Sequence, residues 1–157
     1  MTVQNKVAPD VARAVTLSEE LGISQIVWSP MAQGVLSGKY LPGAEPPAGS
    51  RATDEKGGAQ MIERWMSDDV LEGVQQLAPL AEEAGLTMAQ LAIAWVLQNP
   101  NVASAIIGAS RPEQVVSNVA AAGVRLDDAV MGKIEDVIGG LAERDPAKTR
   151  APKERLT

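Results

Sequence analysis

The sequence predicts an α/β fold with a parallel sheet, and three observations carry that expectation. Two short apolar runs, 24–28 and 103–107, have the length and flanks of strands rather than helices. Each is bordered by segments of helical periodicity, so strand and helix alternate along the chain. The first run ends in Ser29-Pro30 and the second in Gly108, both stop signals for a strand.

Taken in order, residues Pro9 to Leu21 read as a helix, with Val11, Ala14, Val15 and Leu21 near one face and Gly22 as its stop. Ser24 to Trp28 follows as a buried strand. Between Met31 and Asp68 periodicity fades and Gly34, Gly38, Pro42, Gly43, Pro46, Pro47, Gly49, Gly57 and Gly58 break the chain repeatedly. A loop this long in a compact domain is functional or disordered. A helix from Asp69 to Ala84, kinked at Pro79 and closed by Gly85, comes next. Thr87-Met88-Ala89-Gln90 is a capping box for a further helix, with Met88, Leu91, Ala92 and Trp95 on one face. Ala103 to Ile107 is the second buried strand. Ser110 to Glu113 forms a second capping box, leading through Val115, Val116 and Val119. Val130, Ile134, Val137, Ile138 and Leu141 mark the last amphipathic helix, and beyond it the sequence is polar and charged.

Composition sets the bounds. The 157 residues fit one domain, and 45% are hydrophobic, enough for a real core. Phe is absent, so Ala, Val, Leu and Ile must fill that core. A net charge of −6 argues against nucleic acid and anionic membranes as partners. There is no Cys, which excludes disulfides and thiolate chemistry and makes the cytoplasm the expected compartment. There is no His, which removes the commonest metal ligand and neutral-pH general base. No apolar run approaches the roughly 18 residues of a membrane span, and the N-terminus lacks a signal-peptide pattern.

Two places could hold chemistry. At the end of the second strand, Gly108 lets a ligand approach the backbone, Ser110 caps a helix whose free N–H groups favour an anion, and Arg111 offers a planar fork for phosphate. An ordinary capped helix with a solvated Arg explains the same residues equally well. At the end of the first strand, Trp28 could stack on a flat heterocycle, Ser29 offers a hydroxyl and Lys39 a charge, and Gly34 and Gly38 allow a tight loop. On the residues alone, Trp28 in the core and a surface loop behind it is the simpler reading. Arg51 could be a third cation for the same ligand. The pairs Asp68/Asp69 and Glu82/Glu83 read as helix-end and solvated-face charges, and Trp65 and Trp95 as packing residues.

Three linked stretches nevertheless resemble the aldo-keto reductases, in the branch with potassium-channel β-subunit-like and bacterial oxidoreductases. They are Ile26-Val27-Trp28-Ser29-Pro30-Met31-Ala32-Gln33-Gly34 with Gly38-Lys39-Tyr40, then Leu91 to Leu97, then Ile106-Ile107-Gly108-Ala109-Ser110-Arg111-Pro112-Glu113-Gln114. The resemblance runs over roughly residues 10 to 140 and divides the chain into a 1–8 stub unlike the family, a family segment at 9–141 and a polar tail at 142–157. It implies a partial (β/α)8 TIM barrel, with strands seven and eight and their helices. It further implies NADPH/NADP as cofactor, with Trp28 on the nicotinamide and Ser29, Met31, Ala32, Gly34 and Lys39 along the pyrophosphate. Arg51 would clamp the pyrophosphate, and Gly108, Ser110, Arg111, Gln114 and Asn118 would hold the adenosine end. Arg111 would meet the 2′-phosphate, a charged hydrogen bond worth about 1.5–3 kcal/mol and at least tenfold over NADH. Ser117 departs from the Glu that relatives commonly carry before the Asn.

The family reduces carbonyls with a Tyr acid supported by Asp, Lys and His. This sequence has no His, and its single Tyr is Tyr40, inside the cofactor-loop motif. A full barrel takes about 250 residues. The expectation is therefore a truncated or split reductase, inactive alone, whose partner is a complementary barrel half or a second copy. A non-catalytic NADPH- or partner-binding module and a fragment without function are the alternatives.

Overall fold

The computed structural model describes residues 18–141, and within them the order is strand, loop with short helices, helices, strand, helix, helix. Residues 18–20 are helical, matching the end of the helix predicted before Gly22. The rest of that helix, the 1–8 segment and the polar tail lie outside the described residues.

Strand β1 (Gln25–Trp28) pairs in parallel with β2 (Val102–Ile106), with Ile26 opposite Ser104, Val27 opposite Ala105 and Trp28 opposite Ile106. Parallel strands need a crossover, and here residues 29–101, with most of the helical core, form it. The α/β expectation is met by this two-stranded parallel sheet, which is consistent with part of a barrel. One part of the expectation is corrected. Both strands were expected to be buried, but only Val27 is, while Ile26, Trp28 and Ile106 are 66%, 58% and 59% exposed. Alternation puts Val27 on the opposite face from Ile26 and Trp28, and among the described residues no helix covers the latter face.

The stretch from Met31 to Asp68, expected as an irregular loop, carries short turns of helix instead. They are 3-10 segments at Ala32–Ser37, Arg51–Thr53 and Glu63–Trp65, and helix α1 (Gly58–Ile62). Val35, Leu36, Tyr40, Ile62 and Trp65 from this stretch are buried in the main core. The helical turns that carry most of them are too short, at three to six residues, to give a periodic signal, which is why the pattern hid them.

Helices α2 (Asp68–Gln76) and α3 (Ala78–Glu83) replace the single kinked helix, with Leu77 at the joint. Pro79 sits in the first turn of α3, where its missing N–H costs nothing. Gly85, at φ +67°, closes α3: its N–H meets Glu82 O at 2.9 Å and Leu86 N–H meets Ala81 O at 2.8 Å. The Ser67 hydroxyl, bonded to the exposed Asp69 carboxylate, holds that group below its ordinary pKa.

Helix α4 (Met88–Leu97) begins with the predicted capping box. Gln90 N–H donates to Thr87 Oγ1 at 3.2 Å and Thr87 N–H to Gln90 Oε1 at 2.9 Å. Leu91, Ala92, Ile93, Ala94 and Val96 are all buried, making α4 the central helix, packed on both β2 and the 3-10 turn after β1. Helices α5 (Pro112–Val119) and α6 (Asp128–Ile138) follow. Asp127 caps α6 through Val130 N–H at 2.8 Å, and Val130, Ile134 and Ile138 face the core as the periodicity predicts. Among the described residues no single helix is long and apolar enough to cross a membrane.

Candidate functional site

The parallel register decides the site. Because Trp28 lies beside Ile106, the loops that leave β1 and β2 emerge at the same end of the sheet. Sequence regions some 80 residues apart, Ser29–Lys39 and Gly108–Gln114, are thereby neighbours at the carboxyl ends of two parallel strands, the position where α/β folds place ligands.

On the β1 side, Trp28 is exposed on the uncovered sheet face, so the expectation of Trp28 in the core is corrected in favour of an accessible ring. Behind it the backbone turns sharply. Ser29, Ala32 and Gln33 have φ of 53°, 47° and 60°, in the left-handed region that non-glycine residues seldom occupy. Gly34, at 100°, completes the turn. Backbone bonds set its shape, from Ala32 N–H to Ser29 O and from Gly34 N–H to Met31 O, both 2.9 Å. Ala32 is buried and Met31 half-buried against the core, so the loop is anchored from below.

Lys39 is exposed and arches over the turn. A Cβ on Gly34 would stand 3.5 Å from its Nζ, and the ammonium lies 5.1 Å from the Tyr40 ring centroid. Beneath it Tyr40 is 1% exposed. The Gln75 amide on α2 donates to Gly38 O at 3.1 Å and Tyr40 O at 2.9 Å, and Gly43 N–H donates to Asp68 Oδ1 at 2.9 Å. Two side chains of α2 therefore satisfy backbone groups of the loop, Gln75 from a half-buried position and Asp68 at the surface.

On the β2 side the predicted cap is corrected. Arg111, not Ser110, is the N-cap of α5, with extended φ/ψ of −143° and 146°, and the Ser110–Glu113 box does not form. Gln114 intervenes: its Oε1 accepts from Ser110 N–H at 2.8 Å and from Ser110 Oγ at 3.1 Å. This side-chain carbonyl draws Ser110 back over the first turn and leaves Arg111 at the helix start, exposed. Gly108 is exposed, and a Cβ there would meet nothing within 4 Å. The chain itself thus does not require glycine at 108; the space above it is open to a ligand. Asn118 is the one buried residue of α5, and its carbonyl accepts from Ala120 and Ala121 N–H in the last turn.

Arg51 is exposed and its guanidinium lies 3.7 Å from Met61 Sδ, so its hydrogen bond joins the 3-10 turn to α1 rather than to the Lys39 loop. Lys39, Arg51 and Arg111 make no ion pair among the described residues, where Lys133–Glu83 is the pair observed. Two residues of the site were not anticipated from sequence. Gln75 could have been noticed as a polar residue beside the inward-facing Leu71 and Val74. Gln33, whose amide donates to Ser29 Oγ at 2.6 Å, lies inside the motif from Ile26 to Gly34, but the motif alone gives it no role.

A family model described as the aldo/keto reductase family matches residues 4–138. Among curated proteins, the chain is 45% identical over 125 residues to a probable voltage-gated potassium channel subunit beta of Arabidopsis thaliana, covering 78% of this chain and 38% of that protein. It is 43% identical over 125 residues to the protein of the same description in Oryza sativa subsp. japonica, again 78% of this chain and 38% of the relative. The chain thus spans well under half the length of these relatives.

Proposed function

The chain belongs to the aldo/keto reductase family, and from that premise we propose that it supplies the NADP(H)-holding portion of such an enzyme, strands seven and eight of the barrel with their helices. The observation that carries this reading is the parallel pairing of β1 and β2. It brings an exposed Trp, a tight loop under a lysine and an exposed Arg at a helix start to one end of the sheet.

The residues fit the cofactor. The open space over Gly108 admits a backbone-hugging ligand, and exposed cations without anionic partners suit the charges of a dinucleotide phosphate. In this reading Trp28 stacks on the nicotinamide, while Ser29, Met31, Ala32, Gly34 and Lys39 line the pyrophosphate and Arg51 clamps it. Gly108, Ser110, Arg111, Gln114 and Asn118 hold the adenosine end, with Arg111 on the 2′-phosphate. When bound, the cofactor supplies a hydride for carbonyl reduction. What these residues do is bind and orient: the planar Arg111 fork selects the 2′-phosphate, and the Trp28 ring fixes one face of the nicotinamide and keeps water from it.

Catalysis is assigned elsewhere. The sequence has no His, and its single Tyr, Tyr40, is buried under the Lys39 loop and so is not placed to protonate a substrate. We therefore infer that these residues alone do not turn over a carbonyl. The test is a titration of the chain with NADPH and NADH, following cofactor fluorescence, beside Arg111→Ala. Saturable NADPH binding that weakens at least about tenfold in Arg111→Ala is expected; a folded chain that binds neither cofactor would refute the reading. Reduction of nitrobenzaldehyde by the chain with NADPH would refute the assignment of inactivity.

A second reading rests on the uncovered sheet face, where Ile26, Trp28 and Ile106 are exposed together. Such a face, with strand edges unpaired among the described residues, suits a complementary barrel half or a second copy in a cytoplasmic assembly. A concentration-independent monomer in sedimentation would rule out the second copy.

A further inference from the structure

Among the described residues, left-handed backbone at non-glycine positions occurs only at Ser29, Ala32 and Gln33. Each such residue costs on the order of a kcal/mol, so the surroundings must hold it there. The backbone bonds of the turn fix its path but leave the Ser29 side chain unspecified. The one side-chain contact that does specify it is the 2.6 Å bond from Gln33 Nε2 to Ser29 Oγ, which joins the first and last non-glycine residues of the strained run.

We propose that Gln33 is a positioning residue for this loop: its amide holds Ser29 in its left-handed conformation and aims the Ser29 hydroxyl before any cofactor arrives. This rests on the cofactor reading above and adds to it a residue that acts through Ser29. The chemistry asks for glutamine. A side chain of this length spans the turn, and its NH2 donates while leaving the hydroxyl proton of Ser29 free for an anion. Glutamate lacks that donor and would add a negative charge beside the pyrophosphate; methionine keeps the length but not the bond.

The experiment compares the chain with Gln33→Met and Gln33→Glu in two measurements. The first uses no ligand: carbon chemical shifts of Ser29 and Ala32 report their left-handed backbone. These shifts are expected to move toward ordinary values in Gln33→Met while the melting temperature holds. The second titrates NADPH beside 2′,5′-ADP, which carries the adenosine end without the nicotinamide half. Gln33→Met should weaken NADPH about three- to tenfold, the range of one hydrogen bond, and leave 2′,5′-ADP unchanged. Gln33→Glu should weaken NADPH further. A merely destabilised protein would weaken both ligands together, and that outcome, or unchanged shifts and NADPH affinity in Gln33→Met, overturns the proposal. If the unsubstituted chain binds neither ligand, the cofactor reading fails by itself, and the ligand-free shifts still decide whether Gln33 sets the turn.

Discussion

The loops after β1 and β2 open at the same end of the sheet, yet they are supported in different ways. The first grows out of the core: Ala32, Val35, Leu36 and Tyr40 are buried within a dozen residues of the strand, and Gln75 and Asp68 bond its backbone from α2. The second rests on α5, where Asn118 is the buried residue and Val115, Val116 and Val119 are 48%, 74% and 59% exposed. Its main tie to the core is the Gln90 amide, which donates to Ser117 O at 2.9 Å. The difference teaches that strain and burial go together. A loop can hold three non-glycine residues in left-handed backbone only where many contacts over-determine it. The β2 side uses unstrained backbone and needs less support.

The largest expected effect tests the core that carries the first loop. Leu91→Ala on α4, at 2% exposure, should cost about 2–5 kcal/mol in urea unfolding. A loss under about 1 kcal/mol would mean that α4 is not the central support. Next is the binding cost of Arg111→Ala, about 1.5–3 kcal/mol for a charged hydrogen bond, with unfolding stability unchanged because the side chain is exposed. A stability loss there instead would give Arg111 a structural role. The two helix starts provide a direct contrast. Thr87→Ala breaks a formed capping box and should cost about 1 kcal/mol, whereas Ser110→Ala removes no cap and should cost less in thermal melts. Equal losses would restore Ser110 as a cap. Smaller still, Val116→Ser at 74% exposure should change stability within about 0.5 kcal/mol. A larger loss would show that Val116 is covered in solution.

The smallest effect lies at the start of α2. The Ser67 bond lowers the folded pKa of Asp69, so its contribution is present above the unfolded value and is lost as pH falls through the folded one. Ser67→Ala should therefore reduce stability slightly at neutral pH, and the difference should vanish in strong acid. A gap that persists at low pH would assign the Ser67 effect to something other than Asp69.

Much of this was legible in the residues. The period of α6, with Val130, Ile134 and Ile138 on one face, named its buried side, because amphipathic spacing is a local property. Thr87 and Gln90 announced their capping box for the same reason: both partners lie within one turn. The two apolar runs mark the strands, and the residues that follow each run, Ser29 to Lys39 and Gly108 to Gln114, are the ones the parallel pairing brings to one end of the sheet.

Other features depended on contacts no local pattern encodes. The burial of Tyr40 and Ile62 inside a glycine-punctuated stretch depends on helices that follow in sequence. The Ser110 capping box does not form, and Gln114 Oε1 rather than Glu113 accepts the Ser110 N–H, a choice between two local acceptors that the motif alone does not weigh. The exposure of Ile26 and Ile106 reflects how few elements among the described residues surround the sheet, not the strands themselves. Sequence alone determined the two strands and the longer amphipathic helices, and which residues carry charge and flat rings. Tertiary structure decided which ends of the strands meet and which loop bears strain, because those follow from pairing and packing between residues far apart in the chain.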